Sequence, residues 1–265
     1  MGKNSGIAVG LVCLSLTACD ESIIDFKGEQ HVRVYQDDLA ISCTDTGAIA
    51  VKTHGKILID ESIELHCSQK GDDGMTYPQS CNSETGSINI FTIHDKDLNK
   101  AESLGFSHLS TLPDAQFDSQ CEYKVISDSR KFRLLDQLNS QYTLWQANKT
   151  TSYQFRFNVS FSDCPTFAPT PIVTISVVDD VVNTVYDIEN ETFLTDISEY
   201  MTIDELYGEI ELQLRLIPIA AGLNAAEPNS MPTFNNQGMP QQYFIDLGGE
   251  GCDAANYTMS DLALL

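Results

Sequence analysis

The chain has 265 residues, enough for one large domain or two small ones. Its 38 acidic residues outnumber its 15 basic residues and give a formal net charge of −23. Nucleic-acid binding needs a basic surface, so the composition argues against a nucleic-acid partner. The same charge disfavours direct adhesion to anionic lipid headgroups. The acidic surface indicates solubility first, and attraction of cations or of a basic partner second.

The N-terminus has the features of a secretory signal peptide. Lys3 is positively charged, and the uncharged segment 6–16 is mostly apolar but too short to span a bilayer of roughly 30 Å. Residues 16–19 read LTAC and resemble the lipobox of bacterial lipoproteins. The resemblance implies a signal peptide over residues 1–18 and acyl chains such as palmitate on Cys19. The alternative is an ordinary cleaved signal peptide that leaves Cys19 as a structural cysteine.

A lipidated cysteine predicts the location of the protein. Residues 19–29 would form a tether, and the folded part would lie on the periplasmic side of the bacterial cell envelope. Two or three acyl chains anchor stably, because each buried CH₂ contributes about 0.8 kcal/mol. Asp20 favours the inner membrane by analogy with enteric lipoproteins, and the outer membrane is the alternative. The expected partners are the membrane, through the anchor, and an envelope protein.

Six cysteines remain outside the leader and the lipobox, and an even number in an exported protein indicates disulfide bonds. They are Cys43, Cys67, Cys81, Cys121, Cys164 and Cys252. Six cysteines allow fifteen pairings, and we favour one that keeps each bond within one predicted half of the chain. Its bonds are Cys67–Cys81, Cys43–Cys121 and Cys164–Cys252. No C-x-x-C motif indicates a thioredoxin-like redox role.

The first half, residues 30–128, alternates between strand and helix patterns. The predicted strands are 31–35, 63–67, 88–93 and 122–126, the predicted helices are 46–58 and 95–104, and the predicted loop is 69–86. Gly105 would end the second helix as its C-cap residue. These patterns predict a small α+β domain.

The second half, residues 130–265, contains clearer signals. The predicted helices are 130–148 and a helix that begins at the Thr202/Glu205 capping box and ends before Pro218, and the predicted strands are 153–161, 172–178, 181–188, 243–246 and 257–260. Asp179 and Asp180 would form the tight turn of a hairpin. We therefore predict an α+β fold of two small domains, each an antiparallel sheet with one or two packed helices, stapled by disulfides.

From Trp145 onward the chain resembles a family of bacterial lipoprotein domains of unknown function. The shared pattern consists of Trp145, Tyr153-Gln154-Phe155, Cys164, Pro171, Val173–Val177, Thr202–Tyr207, Gly238-Met239-Pro240 and Tyr243–Asp246. The glycine usual in the hairpin turn of that family is replaced here by Asp180. The resemblance implies a small α+β lipoprotein domain and implies no activity.

No catalytic motif is evident. The histidines are His31, His54, His66, His94 and His108, all in the first half. The chain has no G-x-S-x-G and no H-E-x-x-H motif, so each histidine is predicted to be a surface or strand residue. His66 would point to the strand face opposite Cys67, because neighbouring side chains alternate.

Asp95 and Asp97 are the minor candidates for a metal site, because they begin a pattern like that of a calcium loop. The sixth position of such a loop should be glycine and is Lys100, and the twelfth should be glutamate and is Phe106. We therefore predict that the two aspartates cap a helix and that the protein has no metal and no cofactor.

Two functional hypotheses follow, with a divalent-cation site as a weaker third. The first is a non-catalytic envelope lipoprotein that binds a protein or another envelope component. The alternative is a secreted hydrolase that depends on scattered carboxylates or on a metal ion. Two carboxylates that converge in a cleft would favour the enzyme, and an exposed apolar patch would favour binding.

Overall fold

The computed structural model describes residues 30–44, 47–164, 170–248 and 252–265. The predicted signal peptide, lipidated Cys19 and tether lie outside the described residues. The helices are α1 (Val51–Asp60), α2 (Leu98–Ser103), α3 (Cys121–Lys124), α4 (Asp128–Asn148) and α5 (Ile203–Arg215). The strands are β1 (His31–Asp37), β2 (Leu65–Asp72), β3 (Ser87–His94), β4 (Ser107–His108), β5 (Tyr153–Phe161), β6 (Val173–Val178), β7 (Val181–Asp187), β8 (Thr192–Phe193), β9 (Ala220–Gly222), β10 (Thr233–Phe234), β11 (Pro240–Asp246) and β12 (Ala254–Leu264). The chain therefore has the α+β fold that the sequence predicts.

The first half contains a four-stranded antiparallel sheet in the order β2-β3-β1-β4. The central strand β3 is buried along nearly its whole length, because both faces of the sheet are covered. Phe91 on one face packs in a core with Leu58 of α1. The other face carries α3, which a disulfide bond between Cys67 and Cys121 ties to β2.

The two halves share one of their hydrophobic cores. Leu216 and Ile217, which follow α5, are buried in the core of the first sheet. Leu216 reaches so close to α1 that a Cβ atom on Gly55 would lie 2.2 Å from its Cδ2 atom. A glycine inside a helix lowers helix stability by about 1 kcal/mol relative to alanine, and here it permits this close approach.

The second half is built on an eight-stranded sheet in the order β10-β11-β12-β5-β6-β7-β8, with β9 paired to β11. Helices α4 and α5 bury apolar side chains against it, among them Trp145 and Ile203. The predicted capping box is present: the Glu205 N–H donates to Thr202 Oγ1 at 3.2 Å, and the Thr202 N–H donates to Glu205 Oε2 at 2.8 Å.

The predicted hairpin turn between β6 and β7 is confirmed. Asp179 and Asp180 have φ angles of +51° and +62°, so both adopt the left-handed conformation that this turn requires. Aspartate tolerates that conformation better than most residues other than glycine, which explains how the turn forms without the usual glycine.

The predicted disulfide pairing is wrong for two of the three bonds. The observed bonds are Cys43–Cys81, Cys67–Cys121 and Cys164–Cys252, with Cα–Cα separations of 5.1, 6.0 and 4.8 Å. Cys81 meets Cys43 because its loop runs beside the segment after β1, where the Ser42 N–H donates to the Ser83 carbonyl. The rule that each bond stays within one half of the chain cannot distinguish the predicted pairing from the observed one, because both satisfy it.

Two local predictions in the first half are also wrong. Residues 122–126 were predicted as a strand, but Cys121–Lys124 form the short helix α3. Asp95 and Asp97 lie in a 3-10 turn before α2, and no side-chain hydrogen bond from Asp97 caps that helix. The predicted C-cap is present, since Gly105 has a φ angle of +95°.

Candidate functional site

A cleft of about 530 Å³ lies where the two halves of the chain meet. Its walls come from the start of α1, from α5 and from the neighbouring strands β5 and β12. Small-molecule sites usually have volumes of about 300–1,000 Å³ and often lie at the boundary between domains. The cleft is therefore a candidate ligand site.

The apolar floor of the cleft continues a strand face that is buried elsewhere. Side chains of β5 alternate, and its first two large residues, Tyr153 and Phe155, are buried. Further along the same face, Phe157, Val159 and Phe161 stay partly exposed and line the cleft. The sequence pattern predicts the apolar face, and the described residues leave its far end partly uncovered.

Polar groups of α5 and β12 meet at the cleft wall. Gln213 Nε2 donates hydrogen bonds to Glu209 Oε1 at 2.6 Å and to the Tyr257 hydroxyl at 3.3 Å. Among the described residues, no hydrogen-bond donor reaches Gln213 Oε1, which is buried. An unsatisfied buried acceptor costs about 1–3 kcal/mol, so a donor that reached this oxygen after a small movement of the Gln213 side chain would gain free energy.

The charges around the cleft are predominantly negative. Glu199, Glu209 and Asp253 line it together with one basic residue, Lys52. Lys52 Nζ lies 2.9 Å from Glu209 Oε1, so the cation is already paired. Burial raises the pKa of the Tyr257 hydroxyl above its usual value and keeps it protonated at neutral pH. The cleft thus favours a neutral or cationic head group over an anionic one.

Three histidines that the sequence predicts as separate surface or strand residues converge at one end of the first sheet. One nitrogen from each of His31, His66 and His94 lies within 4.8 Å of the others. His66 Nε2 and His94 Nε2 are 3.1 Å apart, and the rings of His31 and His66 stack with centroids 3.9 Å apart. Burial, with the two neighbouring imidazoles, lowers the pKa of His66.

Strand pairing explains the convergence. His31 begins β1 and His94 ends β3, and antiparallel pairing places them directly opposite each other. His66 joins them because the β2–β3 register shifts between Leu65 and Cys67. A β-bulge of this kind re-aims a side chain, so the alternation rule fails here and the predicted orientation of His66 is wrong. His31 at the start of one predicted strand and His94 just after the end of another are the sequence signal that these two histidines lie close together.

Glu122 on α3 adjoins the histidines. Its Oε2 lies 3.6 Å from His31 Nδ1, while its Oε1 accepts hydrogen bonds from Arg33 at 3.1 Å and from Thr92 at 3.2 Å. Sequence reasoning missed this residue because α3 was predicted to be a strand.

The remaining predicted residues lie elsewhere. Within the described ranges, Asp95 and Asp97 belong to no group of three or more potential metal ligands. His54 Nδ1 lies 2.9 Å from Asn89 Nδ2 in the interior, and His108 Nδ1 accepts a hydrogen bond from the Ser110 N–H. The disulfide cysteines are paired as described above, and Cys19 is outside the described residues.

No protein-family model, no curated protein and no solved structure matches this chain. The lipobox and the likeness of the second half to lipoprotein domains of unknown function therefore stay predictions from the sequence. In the part of the chain that the structure describes, no helix is both long and apolar enough to cross a membrane.

Proposed function

We propose that the protein is a lipid-anchored envelope protein that binds a small amphiphilic molecule in the cleft between its two halves. The observation that carries this proposal is the cleft itself, where the described residues leave an apolar strand face partly uncovered and provide no donor for the buried Gln213 oxygen. The anchor on Cys19, inferred from the lipobox, would keep this site close to a membrane.

The apolar body of the ligand would lie along β5. Burial of apolar surface stabilises a complex by about 25 cal/mol per Å², and Phe157, Val159 and Phe161 supply such surface. Sites for small molecules are typically concave and mostly apolar, with a few polar groups that orient the ligand.

The head group of the ligand would be a hydrogen-bond donor that is neutral or cationic. Gln213 Oε1 lacks a donor among the described residues, and the carboxylates of Glu199 and Asp253 repel an anion. A hydrogen bond to a charged group contributes about 1.5–3 kcal/mol, so a cationic amphiphile should bind at least about tenfold more tightly than an anionic one of equal length.

Fluorescent amphiphiles test the proposal on the mature chain. Dansyl-dodecylamine should bind with saturation, and dansyl-undecanoic acid should bind at least about tenfold more weakly. Val159→Trp fills the cleft and should abolish binding, whereas the matched control Val181→Trp, on an exposed residue of β7, should leave it unchanged. Gln213→Leu, which keeps the shape but removes the acceptor, should reduce the preference for the amine.

Three outcomes would contradict the proposal. They are no saturable binding of either probe to the folded wild type, equal binding by Val159→Trp, and a preference for the acid. Conversion of ester-linked probes into products, detected by mass spectrometry, would instead support the alternative of a secreted hydrolase.

A further inference from the structure

We propose that His31, His66 and His94 form a binding site for a divalent transition-metal ion, and that Zn²⁺ is the ion it takes. This site is independent of the proposed ligand cleft, because none of the three histidines lines that cleft. Imidazole nitrogen suits zinc and its transition-metal neighbours, whereas calcium and magnesium prefer oxygen ligands.

The spacing of two of the three imidazoles matches zinc coordination. In a tetrahedral site with Zn–N distances of about 2.0–2.1 Å, two ligand nitrogens lie about 3.3 Å apart. His66 Nε2 and His94 Nε2 are already 3.1 Å apart. The third nitrogen, from His31, lies within 4.8 Å of both, so a rotation of its ring away from the stack on His66 would be needed to complete the site.

The backbone holds two of the ligands in place before any ion binds. His31 and His94 occupy paired positions of adjacent strands, so the sheet fixes the distance between their Cα atoms. The bulge that brings His66 to the same cluster is a feature often found beside functional sites. A site on strands is more rigid than one on loops and loses less conformational entropy when the ion binds.

Glu122 supplies the second layer of the site. Histidines that bind zinc usually direct their other ring N–H at a carboxylate, which fixes the tautomer and orients the ring. Glu122 Oε2 lies 3.6 Å from His31 Nδ1, so a small approach would let it accept a hydrogen bond from Nδ1–H and leave His31 Nε2 for the ion. Arg33 and Thr92 hold the carboxylate by donating to its other oxygen. Glu122 is therefore a positioning residue.

The neighbouring cations do not oppose an added positive ion strongly, because each is paired. Arg33 forms an ion pair with Glu122 at 3.1 Å, and Lys131 forms one with Glu64 at 2.7 Å. Three protein ligands leave a fourth position for water or for an exogenous ligand, as in zinc sites that remain open.

Metal titration of the untagged mature protein with its disulfides intact tests the proposal. After removal of metal with a chelator, calorimetric titration should give one Zn²⁺ per chain. Co²⁺ should give the visible absorption of a four-coordinate ion, and Zn²⁺ should displace it. His31→Asn, at the start of β1, should weaken Zn²⁺ binding at least about 100-fold, and Glu122→Gln about 10–100-fold.

His108→Asn is the matched control, because His108 also lies on the first sheet but outside the cluster. The His108→Asn variant should bind Zn²⁺ with the same affinity as the wild type. The proposal is overturned if the folded wild-type protein takes up no Zn²⁺, or if His31→Asn and His66→Asn bind it as tightly as His108→Asn does. If His66→Asn fails to fold, the comparison of His31→Asn with His108→Asn still decides the question.

Discussion

Replacement of Cys67 by alanine tests the disulfide pairing directly. Because Cys67 bonds to Cys121, the variant should leave the free thiol on Cys121. The pairing favoured from the sequence would instead leave it on Cys81. Alkylation of the denatured, unreduced variant followed by peptide mass spectrometry identifies the labelled cysteine.

The same bond should contribute strongly to stability. It joins residues separated by 54 positions, for which loop-closure entropy gives about 4 kcal/mol at 25 °C. The Cys67→Ala/Cys121→Ala double variant should therefore lose about 4 kcal/mol of unfolding free energy in urea, a large share of a typical total of 5–15 kcal/mol. The double variant of Cys43 and Cys81 is the matched comparison. Its cysteines are separated by 38 positions, which gives almost the same entropy term, so it should lose nearly as much unfolding free energy. A loss below about 1 kcal/mol for the Cys67–Cys121 pair, or a thiol on Cys81, would refute this reasoning.

Three further predictions concern the anchor, a helix cap and a carboxylate. Cys19→Ser should move the protein from the membrane fraction to the soluble fraction after cell lysis, and unchanged fractionation would contradict lipidation at that residue. Thr202→Ala removes the capping box of α5 and should lower the unfolding free energy by about 1 kcal/mol in urea, whereas no loss would mean that the box contributes little. Burial and the nearby charge of Asp253 raise the pKa of Asp246 to about 6. The folded state binds the proton on the Asp246 carboxyl more tightly than the unfolded state does. The stabilisation that this proton provides is therefore complete below about pH 4 and is lost as the pH rises through 6. Asp246→Asn should therefore raise the melting temperature at pH 7.5 but not at pH 4, and equal shifts at both pH values would contradict the assignment.

Local patterns predict the second half of the fold well. The alternation of apolar residues in β5, the capping box at Thr202 and the Asp179-Asp180 turn each depend on residues close in sequence. Such signals are physical properties of short segments, so they depend less on the rest of the chain than long-range contacts do. The short strands β4, β8, β9 and β10 carry no such signal, because pairing with longer neighbours defines them.

The candidate sites could not be predicted from spacing, because each depends on contacts between distant segments. His66 reaches the other two histidines through a register shift that no local pattern announces. The cleft exists because the helices leave one end of the β5 face uncovered where the two halves meet. The disulfide partners of Cys67 and Cys81 likewise depend on the position of α3 and on the path of one loop.

The most direct test of the proposed function is native mass spectrometry of the full-length protein purified in mild detergent from its host membranes. We expect one neutral or cationic amphiphile to remain bound per wild-type chain and to be absent from the Val159→Trp variant. It should still be present in Val181→Trp. A wild-type protein that carries no such molecule and accepts none when amphiphiles are added, or a molecule that Val159→Trp retains equally, would contradict the proposal that the cleft is the binding site.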